Sequence, residues 1–515
     1  MYIHTGEYAS WTVDAFADRA EKNYEISVVV TDNSHADISL VRDSALPSEG
    51  YALDITSDTI RLSAADDKGV IWGLATLYQL IVEAKQHYDS RLEEQTVQDW
   101  PKYSHRGLMI DVGRHFFDSE EMKKIIEEMS FYKLNVLHWH LTEDQGWRIE
   151  SKIYPKLHEH ASNGQYYTQE QIKNIVKYAQ ERGIDIIPEI DMPGHASAAI
   201  SAYKELSCFD EEIPVATTYG VFRVVMCPGK ESTYAWIRNL LEEVMALFPS
   251  RYFHLGGDEC PKDKWKQCPH CNERMRQIGI ESYENLQGYF MNEIGAYLRS
   301  KGKTVIGWND ILKAGNTAND TMVQYWLELT KESYVFPFFE AGQKMIFSDN
   351  FTLYFNSPHC MIKLKNIYEY QPKILQHTEL QGDNIMGLEG AVWTEHIVTN
   401  EQLEQMISPR IQALAEASWT QKRDYEEFLE RLKVHLENCQ LSKLSSLPLE
   451  EVALNEEQAK LKALDYIKKM AAVTKEAYTD TGLTEEELSR MQQMLLSEVF
   501  GATDMRRLTK EMGID

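Results

Sequence analysis

Long apolar runs are absent from this sequence, and no stretch approaches the ~18 consecutive apolar residues that a membrane-spanning helix needs. Basic residues are also in deficit, since 53 Lys and Arg stand against 80 Asp and Glu, for a formal net charge of -27. Nucleic acids and anionic membrane surfaces attract basic protein surfaces. We therefore expect no nucleic-acid partner and no membrane partner.

Signals for export are missing as well. The segment Met1–Glu7 has neither the basic region nor the apolar region of a secretory signal. Cysteine is scarce, with seven residues in 515, and an odd number cannot pair completely in disulfides. Reduced thiols and a cytoplasmic location are the expectations that follow.

The chain is too long for one ordinary hydrophobic core, and its pattern divides it into three regions. Residues 1–100 mix short strands and helices, which predicts a small α+β domain. Residues 101–423 alternate strands with helices. Residues 424–515 predict a helical region that packs against the rest of the chain or against a second copy in a homo-oligomer. Its amphipathic segments are Tyr425–Glu437, Glu456–Tyr478 and Thr484–Val499.

The small domain is predicted from alternating and helical patterns of apolar residues. The two predicted helices are Trp11–Lys22 and Asp67–Glu83. The predicted strands are Ile26–Val30, Ala36–Val41, Tyr51–Ile55 and Thr59–Ser63, the last two forming a hairpin. No catalytic pattern occurs in this region.

The middle region contains eight strand-like positions separated by helical patterns, which predicts an α/β fold, a (β/α)8 TIM barrel. An open doubly wound sheet is the alternative, but no Gly-rich dinucleotide fingerprint follows the first strand. The eight positions are Leu108–Val112, Asn135–Leu141, Ile184–Ile190, Tyr252–Leu255, Thr304–Trp308, Met322–Trp326, Lys344–Phe347 with Thr352–Phe355, and Ile385–Trp393.

Polar and aromatic residues recur at the carboxyl ends of these strands, where barrel enzymes place their active sites. Carboxylates and arginine suit sugar hydroxyls, and flat indoles suit the apolar face of a sugar ring. The strand ends are Arg114, Glu143-Asp144, Asp191 with His195, Asp258-Glu259, Trp308-Asn309-Asp310, Tyr325-Trp326, Tyr354 and Trp393-Thr394-Glu395.

The fourth strand ends in two glycines followed by two carboxylates. Side chains alternate along a regular strand, so Asp258 and Glu259 would diverge unless Gly256-Gly257 kinks the backbone. With the kink, both carboxyl groups reach one pocket, where burial and proximity push their pKa values apart. The alternative is a strand end with an Asp at a helix N-cap, before the helix-breaking Cys260-Pro261.

Five spaced segments in this region resemble glycoside hydrolase family 20, the β-N-acetylhexosaminidases. The resemblance covers roughly residues 100–420, and this family also carries a small preceding domain. The segments are Arg106–Phe116 (RGLMIDVGRHF), His138–Arg148 (HWHLTEDQGWR), Pro188–His195 (PEIDMPGH), His254–Glu259 (HLGGDE) and Trp393–Glu395 (WTE), together with Trp308 and Trp326.

The resemblance implies an exo-acting, retaining enzyme without cofactor or metal that releases terminal GlcNAc, with GalNAc left open. Its substrate would be an oligosaccharide or glycoconjugate. Glu259 would be the general acid/base, and an apolar site beside a second carboxylate would raise its pKa. Asp258 would hold the 2-acetamido group, whose oxygen attacks the anomeric carbon and forms an oxazolinium intermediate.

The resemblance also assigns residues to substrate binding. Arg114 and Glu395 would hold sugar hydroxyls, Trp308, Trp326 and Trp393 would wall the pocket, Tyr354 would donate to the acetamido carbonyl, and Asp191 with His195 would support the acid. Two positions depart from the family pattern: Asn356 stands where Asp is usual, and Glu143, also at an Asp position, is left without a role.

Two other function classes were weighed. His138 and His140 lie on one strand face, as in barrel hydrolases that bind zinc, but only His195 and His254 follow on later strands as further imidazole ligands. A sugar-binding protein without turnover is the second alternative, and the intact Asp258-Glu259 pair argues against it.

A cysteine-rich stretch follows the two carboxylates. Cys260, Cys268, His270 and Cys271 lie within twelve residues and supply three thiols and an imidazole, a donor set that zinc accepts. The spacing matches no standard zinc finger, so reduced loop cysteines are the alternative.

Overall fold

The computed structural model describes residues 1–33, 35–85, 91–327, 334–376, 382–438, 444–463 and 466. Helices in this part of the chain are all too short or too polar to cross a membrane. Short 3-10 turns occur at Ser10–Val13, Lys204–Leu206, Asn309–Ala314 and Lys373–Gln376.

The first hundred residues form a six-stranded mixed sheet against which two helices pack, with strand order β2-β1-β3-β5-β4-β6. The elements are β1 (Tyr2–His4), α1 (Asp14–Tyr24), β2 (Val29–Val30), β3 (Ile38–Arg42), β4 (Tyr51–Ile55), β5 (Ile60–Ala64), α2 (Asp67–Ala84) and β6 (Gln95–Asp99). The hairpin is confirmed as the antiparallel pair β4 and β5. Burial alternates along β4, as expected for a strand with one face on the core.

Some local predictions for this sheet are corrected. The strand predicted over Ile26–Val30 is only the exposed two-residue edge strand β2, because the residues before it do not pair. The first predicted helix begins as a 3-10 turn before α1. The strands β1 and β6 were not predicted, because each is a short segment without a clear apolar alternation.

The predicted (β/α)8 barrel is confirmed. Eight parallel strands close in the order β7-β8-β11-β12-β13-β14-β15-β16, and β16 pairs with β7. The strands are β7 (His105–Asp111), β8 (Val136–His140), β11 (Asp185–Glu189), β12 (Tyr252–His254), β13 (Thr304–Trp308), β14 (Met322–Tyr325), β15 (Met345–Phe347) and β16 (Ile385–Val392). A small hairpin of β9 (Thr142–Glu143) and β10 (Gly146–Trp147) follows β8.

Helices cover the outside of the barrel, so β7 and β8 are buried at every residue. The helices are α3 (Ser119–Phe131), α4 (Lys156–His160), α5 (Gln169–Gln180), α6 (Ser197–Ala202), α7 (Glu231–Met245), α8 (Asp263–Gln267), α9 (Pro269–Ile278), α10 (Tyr283–Ser300), α11 (Phe336–Glu340), α12 (Leu364–Tyr368), α13 (Asn400–Ile407) and α14 (Arg410–Trp419).

Buried ion pairs join the small domain to the barrel. Arg19 Nε and Arg182 Nε donate to the two carboxylate oxygens of Glu127, each at 2.5 Å. Burial opposes the charge, but the two guanidinium groups lower the pKa of Glu127 to about 2. Arg106, near the start of β7, donates to Glu49 at 2.5 Å. The small domain thus contacts the amino end of β7 and leaves the carboxyl ends of the strands open.

The first predicted C-terminal helix is confirmed as α15 (Tyr425–Asn438), which packs on the barrel through Phe428 and Leu432. A short helix, α16 (Leu449–Val452), follows, and residues 456–463 are helical. The predicted helix Glu456–Tyr478 is otherwise described only at residue 466, and the predicted helix Thr484–Val499 lies outside the described residues.

Candidate active site

The turn after β12 directs two carboxyl groups into one place. Gly256 and Gly257 have φ of +67° and +95°, and a Cβ on Gly256 would lie 1.7 Å from Oδ1 of Asp191. The same Oδ1 accepts a hydrogen bond from the Gly257 N–H at 3.1 Å. Only glycine fits this backbone, and the predicted kink is confirmed.

The kink brings Asp258 and Glu259 to one imidazole. Nε2 of His195 lies 3.8 Å from Oδ2 of Asp258 and 3.6 Å from Oε2 of Glu259. Both His195 and Glu259 have positive φ, at +46° and +44°. Non-glycine residues in this region store backbone strain, which is characteristic of functional sites.

The two carboxyl groups differ in exposure. The Asp258 side chain is 10% exposed, whereas the Glu259 side chain is 41% exposed. Burial raises the pKa of Asp258 to about 7, with the nearby charges of Glu189 and Glu259 adding to the effect and His195 opposing it. The expectation of a desolvated carboxyl at Glu259 is corrected, because the more buried of the two carboxyl groups is that of Asp258.

Asp191 and His195 lie behind the two carboxyl groups. Burial and the charge of Asp258 raise the pKa of Asp191 well above its ordinary value. Nδ1 of His195 lies 3.3 Å from Glu143 and 3.4 Å from Asp144. Burial opposes protonation of His195, but these acidic neighbours, Glu143 above all, raise its pKa well above the ordinary value. A cationic imidazole therefore lies between two acidic pairs.

Aromatic rings form the wall beside the carboxyl groups. The rings of Trp308 and Trp393 lie 5.7 Å apart, and Trp326 stacks on Tyr354 with centroids 6.2 Å apart and planes at 14°. The Trp326 Nε1–H donates to Asp310 at 2.8 Å, which fixes the indole. This arrangement explains the indoles at strand ends, since the three rings and Tyr354 form one connected cluster.

Tyr354 reaches this cluster by an unpredicted route. The seventh barrel position was predicted as two segments together, but only β15 joins the barrel sheet. Tyr354 instead forms an isolated parallel bridge with Ala391 of β16. Burial raises the pKa of Tyr354 well above its ordinary value, with Asp258 and Glu259 adding to the effect. The hydroxyl therefore stays protonated.

Arg114 is held by acidic groups on two sides. Its Nη1 donates to Asp111 at 3.0 Å, and its Nη2 lies 2.7 Å from Glu143. Its Nε lies 3.8 Å from Glu395, and its guanidinium carbon lies 5.0 Å from the Trp393 ring centre. The side chain is thereby fixed at the pocket edge.

Glu143, to which the resemblance gives no role, joins Arg114 and His195 within the site. It contacts both Arg114 and His195, and those positive charges hold its pKa well below the ordinary value although burial opposes them. Its position directly after β8 was the available signal. Its strand-end position alone could not show that this carboxylate contacts both Arg114 and His195.

A ladder of histidines and glutamates fills the barrel below the aromatic wall. Glu189 pairs with His138 and His254 at 2.9 Å each, and also with His140. Glu389 pairs with His138 at 2.8 Å. These side chains are at most 1% exposed.

This ladder does not suit a catalytic metal. The ring of Trp308 packs at 5.1 Å from His254 and 6.0 Å from His138, and its Nε1–H donates to Glu189 at 2.9 Å. The imidazoles therefore face buried carboxylates and an indole. A hydrolytic metal needs a coordination position open to substrate, and among the described residues these imidazoles, at most 1% exposed, offer none.

The zinc hypothesis grouped the wrong residues. His270 is exposed, and Sγ of Cys260 contacts the Pro261 carbonyl at 3.8 Å. Cys268 and Cys271 instead lie with two cysteines from an earlier loop, Cys208 and Cys227. The prediction grouped residues that are close in the sequence. The fold instead brings Cys268 and Cys271 to cysteines from a distant segment of the chain.

Two family models match the chain. "Glycosyl hydrolase family 20, catalytic domain" matches residues 103–422, and "Glycosyl hydrolase family 20, domain 2" matches residues 2–100. Together they cover both the barrel and the preceding sheet.

Individual relatives agree with these models. A beta-hexosaminidase of Porphyromonas gingivalis is 37% identical over 76% of this chain, which spans 54% of that relative's length. A beta-hexosaminidase of Akkermansia muciniphila is 31% identical over 77% of this chain and 86% of its own length. The solved structure of an exo beta-N-acetylglucosaminidase from Vibrio harveyi in complex with N-acetylglucosamine has a TM-score of 0.76 and 29% identity, over 87% of this chain and 74% of that one.

Proposed function

The chain belongs to glycosyl hydrolase family 20, and on this premise we propose that it is an exo-acting, retaining β-N-acetylhexosaminidase. Its substrates would be oligosaccharides or glycoconjugates with a terminal β-linked GlcNAc, and GalNAc is a second substrate to be tested. The observation that carries the proposal is the turn at Asp258 and Glu259, which places a buried and an open carboxyl group beside one imidazole.

Glu259 is the general acid in this mechanism. Its half-open carboxyl can reach the glycosidic oxygen of a bound substrate, and the sugar would then cover it from water. As the glycosidic bond breaks, Glu259 gives its proton to the departing oxygen. In the second step it takes a proton from the water that attacks the anomeric carbon. The cationic His195, 3.6 Å away, supports the carboxylate form between the two steps.

The nucleophile is the substrate's own acetamido oxygen. It bonds to the anomeric carbon on the face opposite the leaving group and forms an oxazolinium ion, which water opens with net retention. Asp258 accepts the amide N–H and balances the developing positive charge. Two features support this role: the carboxyl is buried, and its Oδ1 has no hydrogen-bond partner among the described residues. A buried acceptor of this kind favours a donor from the substrate.

The remaining residues hold the sugar. Arg114 and Glu395 bind the outer hydroxyls, since the guanidinium Nε is buried and without a hydrogen-bond partner among the described residues. Trp308, Trp326 and Trp393 enclose the ring and the acetamido methyl. The protonated Tyr354 hydroxyl donates to the acetamido carbonyl.

A panel of defined substrates tests the proposal. Aryl β-N-acetylglucosaminides should be cleaved, aryl β-glucosides should not, and aryl β-N-acetylgalactosaminides measure the second specificity. A chitotetraose labelled at its reducing end should shorten by one GlcNAc at a time from the other end. Internal cleavage would refute the exo action, and binding without turnover would support the sugar-binding alternative. Activity that a chelator abolishes at an unchanged melting temperature would support the metal hydrolase.

A further inference from the structure

Four buried cysteines from two loops converge behind the active site. Sγ of Cys208 lies 3.8 Å from Sγ of Cys271, and Sγ of Cys227 lies 3.8 Å from Cys268 and 3.6 Å from Cys271. All four sulfur atoms lie within 4.8 Å of one another, and the four residues are at most 6% exposed. We propose that these four cysteines bind one structural zinc ion.

The sulfur spacing fits a zinc tetrahedron and excludes disulfides in this arrangement. With Zn–S bonds of about 2.3 Å, a tetrahedron has sulfur–sulfur edges of about 3.8 Å. The three separations above are 3.6 to 3.8 Å. Disulfide sulfurs would lie about 2.0 Å apart. A set of four thiolates is a standard structural donor set for zinc, with no position left for substrate.

The local backbone is shaped around the sulfurs. Cys268 is the N-cap of α9, Pro269 is its first residue, and Cys271 lies in its first turn. This Cys-Pro-His-Cys segment directs two sulfurs to one side of a helix start. A Cβ on Gly229 would lie 2.3 Å from the Cys271 amide nitrogen, so the two loops meet at a distance only glycine permits.

The second pair of cysteines comes from the loop after α6. Residues Ser207 and Met226 form an antiparallel bridge, and the Cys227 N–H donates to the Leu206 carbonyl at 2.8 Å. This bridge brings Cys208 and Cys227 side by side. Residues 209–225 between them form no helix or strand, so the cluster closes the base of a long loop.

The tip of that loop lies at the substrate pocket. Gln145 donates to the Thr218 carbonyl at 2.7 Å, and the Tyr219 hydroxyl lies 3.3 Å from Nε2 of His115. The Tyr219 ring also contacts His396, with centroids 5.9 Å apart. His115 and His396 directly follow the hydroxyl-binding Arg114 and Glu395 in the chain. Zinc at the base of the loop would therefore hold the pocket wall in place.

The cluster also supports the acid itself. The Met226 N–H donates to the Pro193 carbonyl at 2.9 Å, and the Trp265 Nε1–H donates to the Met226 carbonyl at 3.0 Å. Pro193 lies two residues before His195, and Trp265 belongs to α8, which follows Glu259 in the chain. The two loops that carry the acid and its imidazole partner are joined at this point.

Metal analysis of the full chain tests the proposal. The protein is expressed with zinc and purified under reducing conditions without chelator, and elemental analysis should find about one zinc per chain. Four equivalents of an organomercurial should release it, because each reagent molecule blocks one thiolate. Cobalt exchanged into the site should show the intense visible bands of a tetrahedral tetrathiolate complex.

Outcomes against the proposal are equally definite. Less than a tenth of an equivalent of zinc, with all four thiols reacting freely in the native protein, would overturn it. So would iron in place of zinc, or disulfides joining these cysteines in mass spectra.

Matched variants separate this site from the grouping suggested by the sequence. Cys227→Ser and Cys271→Ser should lose the bound zinc, whereas His270→Ala, Cys260→Ser and Cys360→Ser should keep it. Zinc loss in His270→Ala or Cys260→Ser would contradict the assignment. If the first two variants do not fold, the cobalt spectrum of the unaltered chain still decides.

Kinetics give a further readout, which depends on the proposed glycosidase activity. Partial removal of zinc should raise KM for GlcNAc substrates more than it lowers kcat, since the loop lies at the hydroxyl-binding side of the pocket. An immediate loss of kcat with KM unchanged would contradict the structural role. Zinc content is independent of activity, so it tests the site even if the proposed function is wrong.

Discussion

Nε2 of His195 lies 3.6 Å from Oε2 of Glu259, and the two side chains differ sharply in exposure. His195 is 3% exposed and held by Glu143 and Asp144, whereas Glu259 is 41% exposed. A buried imidazole with a raised pKa thus adjoins a carboxyl group that is open to a substrate. His195 is best described as a positioning residue, because it acts on substrate through Glu259 and Asp258.

Replacing this imidazole should alter the pH profile as well as the rate. His195→Gln removes the positive charge that holds down the pKa of Asp258, so the acid limb of kcat/KM should move to higher pH. The rate at the optimum should fall on the order of 10–10²-fold, because the acid is less well placed. An exposed control, His160→Gln, should leave both quantities unchanged. A lower rate with an unmoved acid limb would indicate a merely structural histidine.

Replacing the proposed acid should affect substrates according to their leaving groups. Glu259→Gln keeps the shape but cannot supply a proton, so cleavage of natural oligosaccharides should slow by roughly 10²–10⁴-fold. Aryl glycosides with good leaving groups should be less affected in the cleavage step, since their departure needs little protonation. Single-turnover rates on both substrate types measure this difference, with Asp263→Asn on the exposed start of α8 as a control. Equal losses with binding intact would argue against Glu259 as the acid.

The buried Asp258 should destabilise the protein at high pH. Its pKa is raised from 3.8 to about 7, so between these values the folded state keeps a proton that the unfolded state has lost. Stability therefore falls as pH rises through this window, by a few kcal/mol at most. Asp258→Asn removes that penalty and should have a higher melting temperature than the unaltered protein at pH 8, with little difference near pH 4. An equal or lower melting temperature at pH 8 would show that ionisation of Asp258 does not destabilise the folded protein.

The histidine ladder predicts a further loss of stability with rising pH, in the alkaline range. Burial opposes the charge on His138, but Glu389 and Glu189 raise its pKa to about 9. This stabilisation is complete below the unfolded pKa of about 6.5 and is lost as pH rises through about 9. Melting temperatures between pH 6 and 10 should show this loss.

The matched variants are His138→Gln and the exposed His160→Gln. His138→Gln should lower stability at pH 6 and flatten the decline toward pH 10, because it removes the titrating group and leaves Glu389 with one partner fewer. His160→Gln should follow the unaltered protein throughout. An undiminished alkaline decline in His138→Gln would assign the effect to another group.

Much of the fold could be predicted from apolar pattern alone. Strands such as β13 and β15 are almost wholly buried and appear in the sequence as short apolar runs between helical patterns. The two-residue strand β2 and the bridge at Tyr354 could not be predicted, because pairing partners distant in the chain define them.

The site residues at strand ends were predictable for a related reason. Parallel strands share one carboxyl edge, so Asp258, Trp308 and Trp393 had to meet there. What the pattern could not show is which carboxyl group is buried, because the Gly256-Gly257 turn directs one side chain inward and leaves the next at the surface. The cysteine cluster was hidden similarly, since Cys208 joins Cys271 only through the folding of two loops.

The most direct test of substrate-assisted catalysis is a fluorination series on the acetamido group. Replacing the acetyl hydrogens stepwise with fluorine weakens the attacking oxygen with little change in size. Steady-state kinetics with acetyl, fluoroacetyl, difluoroacetyl and trifluoroacetyl aryl glycosides should show kcat/KM falling at every step. A total drop of two decades corresponds to about 2.7 kcal/mol in the barrier, since about 1.36 kcal/mol is tenfold. Asp258→Asn should blunt the dependence, because the amide is no longer oriented and its charge no longer balanced. A flat series, or a covalent sugar trapped on Glu259 or another carboxylate, would contradict the mechanism and indicate a protein nucleophile instead.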